Sequence, residues 1–476
     1  MSYQVPQHID SNKIFIVNRS EIEKRLDPLY YGSDFTKFFK HPCSVRLKDV
    51  CINFSSGFGA GKNEQTTKDD GYIQIRPTNI DNDGFLKYEK NVYVPLHIGV
   101  PFVKKGTVLF NNTNSQEWVG KTALLLEDTK LYTSNHITSI IVDSAKLISE
   151  YLWIVLNVYQ RNKIFYSICT NWNNQSGVGI DLLQSLKVPI LPISIQQEIV
   201  DYYLSAYSEK RKRESEAHQL LENIDTYLLS ELQVSLPEVR NKLKDRMFLL
   251  NRREMEGRFD PTVYKDGIKL ISPKWDNEKL SKVAFVNLSG AYKGKTAETP
   301  ISFVPMEVID ETFSEIKTMD ETTIEQASGF TKFREGDLLW AKITPCMQNG
   351  KSAIAKNLIN GLGCGSTEFF VLRPKDERLA IEYLHVILHM KCVRETAMLY
   401  FGGSAGQQRV PASFLENFNL PLPPKEKQLE IANHVYEMRR RAKALQEEGN
   451  SILEQAKREV ERMIIRPQKA NNNRKQ

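Results

Sequence analysis

Apolar residues recur every three or four positions over a long stretch near the end of the chain, residues 421–464. The regularly spaced positions are Ile431, Val435, Met438, Ala442, Leu445, Gly449, Ile452, Ala456, Val460 and Met463. This spacing is typical of a helix that packs along one narrow stripe, as in a coiled coil. We therefore predict a long helix that needs a partner helix.

A similar stretch lies 232 residues earlier, at residues 189–232. Both stretches begin with prolines, which suit the first turn of a helix because proline fixes φ and lacks the N–H that would be unpaired there. Under this offset Gln196, Glu198 and Ile199 coincide with Gln428, Glu430 and Ile431. Charged residues interrupt the apolar stripe of the earlier copy at 209–213. The pattern predicts a tandem duplication, each half ending in a long helix; two unrelated surface helices are the alternative.

The duplication extends beyond the two helices. Matching positions are residues 18–28 with 251–261, Gly106 with Gly336, Leu109 with Leu339, and Gly120-Lys121 with Gly350-Lys351. The offset drifts by only three residues, from 233 to 230. The two halves are therefore predicted to share one fold with nearly equal loop lengths.

Short apolar runs broken by Gly, Asn and Pro fill the region before each long helix, which predicts β-strands. The predicted strands are 92–96, 107–110, 123–126 and 137–142 in the first half, and 301–305, 337–343, 352–355 and 368–372 in the second. Residues 151–160 and 381–390 are predicted helices. The expected fold class is α+β, with a compact, strongly curved sheet in each half.

These patterns divide the chain into five segments. Two globular domains, residues 1–188 and 241–420, are each followed by a long helix; the first helix with its linker spans 189–240 and the second spans 421–466. Residues 467–476 are predicted to be a disordered basic tail.

The composition and charge of the chain add less to these predictions than the pattern of apolar residues does. Four of the basic residues that produce the net charge of +6 lie in the last eleven positions, which leaves +2 for the rest and makes bulk charge weak evidence for nucleic acid. The six cysteines form no close pair, so neither a zinc motif nor a disulfide framework is indicated. No apolar run is long enough for a signal core or a membrane span. We expect a cytoplasmic protein with no membrane association.

The sequence offers no convincing catalytic motif. The glycine-rich run at residues 56–63 resembles a phosphate-binding loop, yet it begins with Ser56, and Asn63 follows Lys62 where such a loop has Ser or Thr. His385 and His389 lie four apart on a predicted helix, which more often marks a helix face than a metal site. We expect neither metal nor cofactor in this chain.

Two loops in the second half carry polar chemistry. Residues 342–351 and 402–409 combine amides, hydroxyls and basic groups with small residues, which suits close approach to a phosphate backbone and hydrogen bonding to base edges. Ordinary solvated turns are the alternative. The candidate DNA-contacting residues are Lys342, Thr344, Gln348, Asn349, Lys351, Gln407, Gln408 and Arg409, with Lys62 and Lys121 in the first half.

The order of these segments resembles the specificity subunit of type I restriction-modification systems. The resemblance is carried by the strand at 336–339, Gly350-Lys351, the Gly-Gln-Gln-Arg-Val run at 406–410, and the Leu-Pro-Leu-Pro-Pro run at 420–424 with Gln428. It covers nearly the whole chain, twice. The first half departs from it, since residues 176–179 replace the Gly-Gln run and Ile193-Ser194 stand where the second copy has Lys425-Glu426.

The resemblance implies a non-catalytic subunit with two target-recognition domains, each reading one half of a bipartite site in double-stranded DNA. It also implies that the two helices pair antiparallel as a coiled coil, set the spacer and dock two methyltransferase subunits. Those partners would use S-adenosylmethionine, and separate motor-nuclease subunits would cleave DNA. Related type II enzymes use similar chains.

Two other classes of function remain open. The chain could be a scaffold with two binding modules on a coiled coil and no role on DNA. A free-standing DNA-modifying enzyme would require its cofactor and target-base motifs to be unrecognisable.

Overall fold

The structure, a computed structural model, describes residues 16–17, 19, 22, 36–39, 41–97, 99–172, 175–236, 249–250, 260–403 and 407–466. The basic tail at 467–476 and most of the repeated segments 18–28 and 251–261 lie outside these residues. The chain divides into two compact units. Unit 1 comprises Met1–Lys210 with Asn450–Gln476, and unit 2 comprises Arg211–Gly449.

Two helices of the described chain are far longer than the others. The first long helix is Ile193–Leu232 and the second is Lys425–Ile465, close to the bounds that the apolar pattern predicts. The shorter helices are α1 (Thr36–Phe39), α2 (Ser149–Arg161), α3 (Ile164–Ile168), α4 (Ile180–Ser185), α5 (Pro261–Asp266), α6 (Leu280–Val283), α7 (Ile381–His389), α8 (Lys391–Met398) and α9 (Ala412–Asn417).

Unit 1 contains four small sheets among its described residues, in the strand orders β1-β12, β2-β9-β5-β7, β4-β3-β8 and β10-β11-β6. The strands are β1 (Ser44–Arg46), β2 (Cys51–Ser56), β3 (Tyr72–Ile75), β4 (Val92–Val94), β5 (Val108–Asn111), β6 (Thr113–Asn114), β7 (Thr122–Leu124), β8 (Leu131–Thr133), β9 (Ile137–Val142), β10 (Thr170–Trp172), β11 (Gln175–Gly177) and β12 (Lys187–Pro189). All pairs are antiparallel except β3 with β8.

Unit 2 repeats this plan with three sheets in its described part, in the orders β13-β22, β14-β21-β18-β19 and β16-β15-β20-β17. The strands are β13 (Asp276–Lys279), β14 (Ala284–Val286), β15 (Pro300–Val304), β16 (Asp320–Thr323), β17 (Thr331–Arg334), β18 (Leu338–Ala341), β19 (Ser352–Ile354), β20 (Leu362–Gly365), β21 (Phe369–Pro374) and β22 (Asn419–Leu422). Again one pair, β15 with β20, is parallel.

The expectation of an α+β fold repeated in the two halves is confirmed, and each of the eight predicted strands overlaps a strand of the structure. The arrangement within each unit differs from one curved sheet, because the strands separate into several short ones. Most strands are three to six residues long. Such short strands meet at corners, where positive-φ glycines turn the chain: Gly106 and Gly336, the matching residues before β5 and β18, both have φ 82°.

The long helices run antiparallel where unit 2 contains both. Arg213 of the first faces Glu448 of the second at 3.4 Å, and Glu231 faces Lys427 at 2.8 Å. Residue numbers therefore increase in opposite directions along the two helices. Between these two pairs Ala217 packs with Ala442 and Leu445.

The buried stripe differs from the predicted one at two places. In the first helix the spacing of Ile195, Ile199, Tyr202 and Ala206 predicts that Tyr202 lies on the stripe. In the structure Tyr203 is buried and Tyr202 is 45% exposed. After Gly449 the buried residues of the second helix are Leu453, Ala456, Val460 and Ile464. A straight helix drifts against a seven-residue repeat, which moves the stripe by about one position over several heptads.

The charged interruption at 209–213 is part of the packing in unit 1. Lys210 and Lys457, one from each long helix, both donate to the Asp83 carboxylate at 2.6 Å. Burial acts to raise the pKa of Asp83, but the hydrogen bonds from the two ammonium groups outweigh it and the pKa is lowered. A buried cluster of this kind favours one register of the helix pair, because any other leaves charges unpaired.

A buried glutamine amide attaches the start of each long helix to its unit. In unit 2 Gln428 accepts from the Ala380 N–H at 2.9 Å and donates to the carbonyls of Arg378 and Pro423 at 2.7 and 2.8 Å. In unit 1 Gln196 makes the same three bonds, to Ile148, Lys146 and Leu191. Both side chains are fully buried. This explains why a glutamine coincides under the 232-residue offset.

Replacing Gln428 with methionine should destabilise the junction between α7 and the second long helix. The side chain keeps its approximate volume, but a buried N–H and two carbonyls lose their partner, which costs roughly 1–3 kcal/mol for each buried group left unsatisfied. Hydrogen exchange of the Ala380 amide should accelerate accordingly. Gln455→Met, an exposed site on the same helix, is the control and should leave that exchange rate unchanged; equal rates in wild type and Gln428→Met would contradict the assigned role.

Candidate nucleic-acid interface

In unit 2, the predicted polar loops meet at the end of strand β18. The Lys342 N–H donates to the Glu368 carbonyl at 2.9 Å, and the Val410 N–H donates to the Lys342 carbonyl at 2.9 Å. The Thr344 N–H donates to the Gln408 carbonyl at 3.0 Å, and Arg409 exchanges backbone hydrogen bonds with Gly402 at 2.9 and 3.0 Å. The backbone therefore forms a short ladder beyond the end of the sheet.

Unit 1 builds the same ladder at the end of strand β5. Asn112 donates to the His136 carbonyl at 3.0 Å and accepts from the Val178 N–H at 2.9 Å. Gly177 pairs with Thr113 on one side and Thr170 on the other, as Arg409 pairs with Ile343 and Gly402. We call these surfaces strand-end ladders: residues 112–114, 136, 170–172 and 175–177 in unit 1, and 342–344, 368, 402 and 407–409 in unit 2.

The unit 2 ladder carries charged side chains. Arg409 forms a two-pronged ion pair with Glu368, Nη2 to Oε1 at 2.7 Å and Nε to Oε2 at 2.9 Å. Hydrogen bonding from Arg409 lowers the pKa of the Glu368 carboxyl. The ammonium of Lys342 lies 5.4 Å from the ring centre of Phe370. Arg409 is 43% exposed at its side chain, so the ion pair is open to an incoming group.

The other predicted residues of this half divide into two sets. Thr344, Gln407 and Gln408 belong to the ladder. Gln348, Asn349 and Lys351 lie in the following turn. The side chain of Asn349 donates to Glu311 at 3.1 Å and that of Lys351 donates to the Met306 carbonyl at 3.0 Å, while the backbone carbonyl of Gln348 accepts from Arg394. The structure therefore brings Lys342, Thr344, Gln407, Gln408 and Arg409 together, with Gln348, Asn349 and Lys351 to one side.

Apart from His136, the unit 1 ladder has no ionisable side chain. The Asn112 amide donates to Thr138 Oγ1 at 2.9 Å, and Ser176 donates to Asn171 Oδ1 at 2.6 Å. Trp172 is 57% exposed and lies against Gly177, where a Cβ atom would come 2.6 Å from the indole Cζ3. Amides, hydroxyls and an exposed indole are suited to base edges and faces, while the second ladder adds a guanidinium, a carboxylate and an ammonium.

Lys62 and Lys121, the two residues predicted for this half, lie outside the ladder. Lys62 is exposed in the 3-10 turn Lys62–Glu64. Lys121 donates to Asn82 Oδ1 at 2.8 Å, its ammonium lies 4.3 Å from the Trp118 ring centre, and burial lowers its pKa. Sequence reasoning did not single out Asn112, Asn114, Asn171 or Trp172. The repeat offsets contain that signal, since Lys342, Thr344 and Gln408 correspond to Asn112, Asn114 and Ser176.

No group of three or more His, Cys, Asp or Glu residues in the described part of the chain is arranged to hold a metal ion. No described helix is long and apolar enough to cross a membrane. His385 is buried in the core of unit 2 and His389 is partly buried, and burial lowers the pKa of each.

Comparison with known proteins accounts for the duplicated ladder. The family model for the type I restriction modification DNA specificity domain matches this chain twice, at residues 44–224 and 266–455. The chain belongs to this family. Both matches include a strand-end ladder and most of a long helix.

Two relatives of this specificity-domain family match a shorter segment of the chain. The type I restriction enzyme EcoEI specificity subunit of Escherichia coli is 39% identical over 164 residues, and the EcoAI specificity subunit of the same organism is 36% identical over 162 residues. Each match covers 33% of this chain, and the chain spans about a quarter (26%) of the length of these relatives.

A solved structure agrees in fold over a greater length. It comes from work on complex assembly and conformational transition of the type I R-M system, and it superposes with a TM-score of 0.50 at 16% identity. The match covers 89% of this chain and 97% of the other. At this identity the likeness concerns the fold alone.

Gly177→Ala should displace Trp172, because the added Cβ overlaps the indole ring. Tryptophan emission of the variant, compared with wild type, should shift, and the difference should vanish when Trp172 is replaced by Phe in both proteins. Gly179→Ala is the matched control, since no atom of the described residues lies within 4 Å of a Cβ placed there. Identical spectra for Gly177→Ala and wild type would show that the ring does not rest on Gly177.

Proposed function

We propose that this chain is the DNA sequence-specificity subunit of a type I restriction-modification complex. Each unit reads one half of a bipartite site in double-stranded DNA through its strand-end ladder. The subunit itself is non-catalytic. Two methyltransferase subunits dock on the paired helices and use S-adenosylmethionine to modify adenine, and motor-nuclease subunits cleave unmodified DNA.

The observation that carries this proposal is one backbone ladder built twice with different side chains. A common backbone supports a common way of approaching DNA, whereas different donors and acceptors select different bases. Asn and Gln suit adenine, Arg and Lys suit guanine, and a carboxylate accepts from cytosine. The two half-sites should therefore differ in sequence, so a palindromic site is not expected.

The ion pair between Arg409 and Glu368 gives each of these two side chains a role in the unit 2 ladder. A guanidinium whose two N–H groups are already held by a carboxylate cannot bracket a guanine with the same pair of donors. In the proposed complex Glu368 either holds the fork in place while its remaining N–H contacts the DNA, or releases it to the base. Both alternatives make Glu368 a determinant of specificity beside Arg409.

The antiparallel helices support a role in spacing. Two stiff helices whose register is favoured by buried charges would fix the separation of two readers more firmly than a flexible linker. Their exposed faces provide the length of surface on which methyltransferase subunits would dock.

A scaffold with two binding modules and no role on DNA is the alternative. The family membership and the polar ladders favour DNA, whereas a protein-binding module would rather present an apolar patch at the corresponding place. Mapping methylated adenines across the genome with and without this chain decides between them. We expect one bipartite motif to lose methylation when the chain is deleted; unchanged methylation would contradict the proposal.

Lys342→Ala should weaken DNA binding by the assembled methyltransferase for all sequences alike. Loss of one phosphate contact reduces the slope of log affinity against log salt by about one. Lys351→Ala is the comparison, because its ammonium already donates to the Met306 carbonyl, and it should change the slope less. Titrations at several salt concentrations measure both slopes; an unchanged slope for Lys342→Ala would remove this residue from the interface.

Lengthening both long helices by one heptad should lengthen the spacer without changing either half-site. Arg213 faces Glu448, so insertions after these two positions extend the pair at one level. Seven residues preserve the apolar stripe and add roughly 10 Å, or about three base pairs. Four residues instead should rotate the stripe off its partner and destabilise the complex. Sequencing methylated sites tests this, and an unchanged spacer in an active complex would rule out the ruler.

A further inference from the structure

Unit 2 contains a cavity of about 750 Å³ beside the second long helix. Its wall is formed by one face of that helix, by α7, and by the segments 313–319 and 354–357. Exposed side chains, among them Lys356, Glu437 and Arg440, stand at the mouth, while Arg439 and His385 form the buried part of the wall. The volume is in the range of small-molecule sites.

Arg439 is the unusual member of this wall. It is 4% exposed, and none of its three guanidinium nitrogens has a hydrogen-bond partner among the described residues. Burial lowers its pKa to about 10, so it stays charged at neutral pH. A buried charge without a partner is costly, because the water lost on burial is not replaced.

No described carboxylate is hydrogen-bonded to Arg439. The Glu315 carboxylate pairs with Lys443, and Glu437 pairs with Arg440. Asp225 acts electrostatically on Arg439, but its carboxylate accepts the Lys391 N–H at 2.8 Å and does not hold the guanidinium. The fork of Arg439 is therefore available to a group from outside the chain.

In unit 1 the corresponding position is filled by aromatic side chains. Under the repeat offsets the counterparts of Glu315, His385 and Arg439 are Phe85, Trp153 and Tyr207. Phe85 stacks on Tyr207 with ring centres 3.5 Å apart and meets Trp153 edge-on at 4.9 Å. Three aromatic rings therefore fill this place in unit 1, whereas three polar side chains line the cavity in unit 2.

We propose that this cavity binds a small oxyanion, a phosphate or carboxylate group of a soluble compound, through the guanidinium of Arg439. The planar fork of arginine matches two oxygens of such a group, and a second charge converts a costly buried cation into a hydrogen-bonded ion pair. Lys356 and the ring of Phe313 are placed to contact the remainder of the compound. The nitrogens of Arg439 are covered in this conformation, so binding includes a rotation of its side chain toward the cavity.

Isothermal titration of the purified full-length chain with inorganic phosphate, and separately with citrate, tests the proposal. The buffer is Tris chloride, with ionic strength held constant by sodium chloride. We expect saturable binding of at least one of the two anions. Arg439→Met should weaken it by about tenfold to a hundredfold, the value of a charge-assisted hydrogen bond. Arg462→Met removes an equal charge that is exposed, paired with Glu459 and outside the cavity wall, and should change the affinity by less than about twofold.

Two further measurements separate a loss of anion binding from a loss of folding. The melting temperature of Arg439→Met without anion should equal or exceed that of wild type, since the variant removes an unpaired buried charge. If the methionine variant does not fold, Arg439→Lys takes its place; it keeps the charge without the fork and should still bind more weakly than wild type.

Two results would overturn the proposal. The first is that neither anion binds the wild type; if Arg439→Met then lowers assembly with methyltransferase subunits, the carboxylate belongs to a partner protein. The second is that the Arg439 variants bind the anions as well as the wild type does.

Discussion

The buried amides of Gln196 and Gln428 are the constraint on which the arrangement of each unit depends. Each amide ties the first turn of a long helix to the loop before the main helix of its unit, and each satisfies three backbone groups that the core hides from water. An amide in this position fixes both the place and the direction of the helix. The direction of each helix in turn permits the antiparallel pairing seen in unit 2.

Residues that hold the fold together are the same in the two halves of the chain. Exposed residues and residues that line the cavity differ between them. The glutamine, the glycines with φ 82° and the backbone ladder recur, because a substitution there would leave buried groups unpaired or strain the turn. The side chains on the ladder differ, from Asn112 in one unit to Lys342 in the other. The cavity beside the second helix follows the same rule, since aromatic packing at Phe85 and Tyr207 gives way to Glu315 and Arg439.

Much of this architecture was accessible from the sequence, because it depends on local periodicity and on a constant offset. The long helices, the strands around β5 and β18 and the recurring glutamine follow from those signals. The burial of Tyr203 instead of Tyr202 did not, because a helix stripe can be drawn through either neighbour until its partner is known. The division into small sheets was missed too, since strand pairing depends on contacts distant in sequence.

The position of the candidate surface could be predicted from the sequence, but the contacts of its side chains could not. The loops around Lys342 and Arg409 were found from their composition, but the partner of Arg409, Glu368, lies 41 positions away and no local pattern links them. Lys121 was chosen by its match to Lys351, and both side chains are turned to protein groups in the structure. Composition reports which chemistry a loop can offer; only the fold determines which groups remain free to use it.

If the two units read DNA independently, exchanging the domain of one unit should alter one half-site alone. Residues 47–186 would be replaced by the equivalent segment of a related subunit, which leaves β1 and β12 in place as a paired frame. Methylated adenines would then be mapped across the genome. We predict that one half of the bipartite motif changes while the other half and the spacer stay the same. A change in both half-sites together would contradict independent reading.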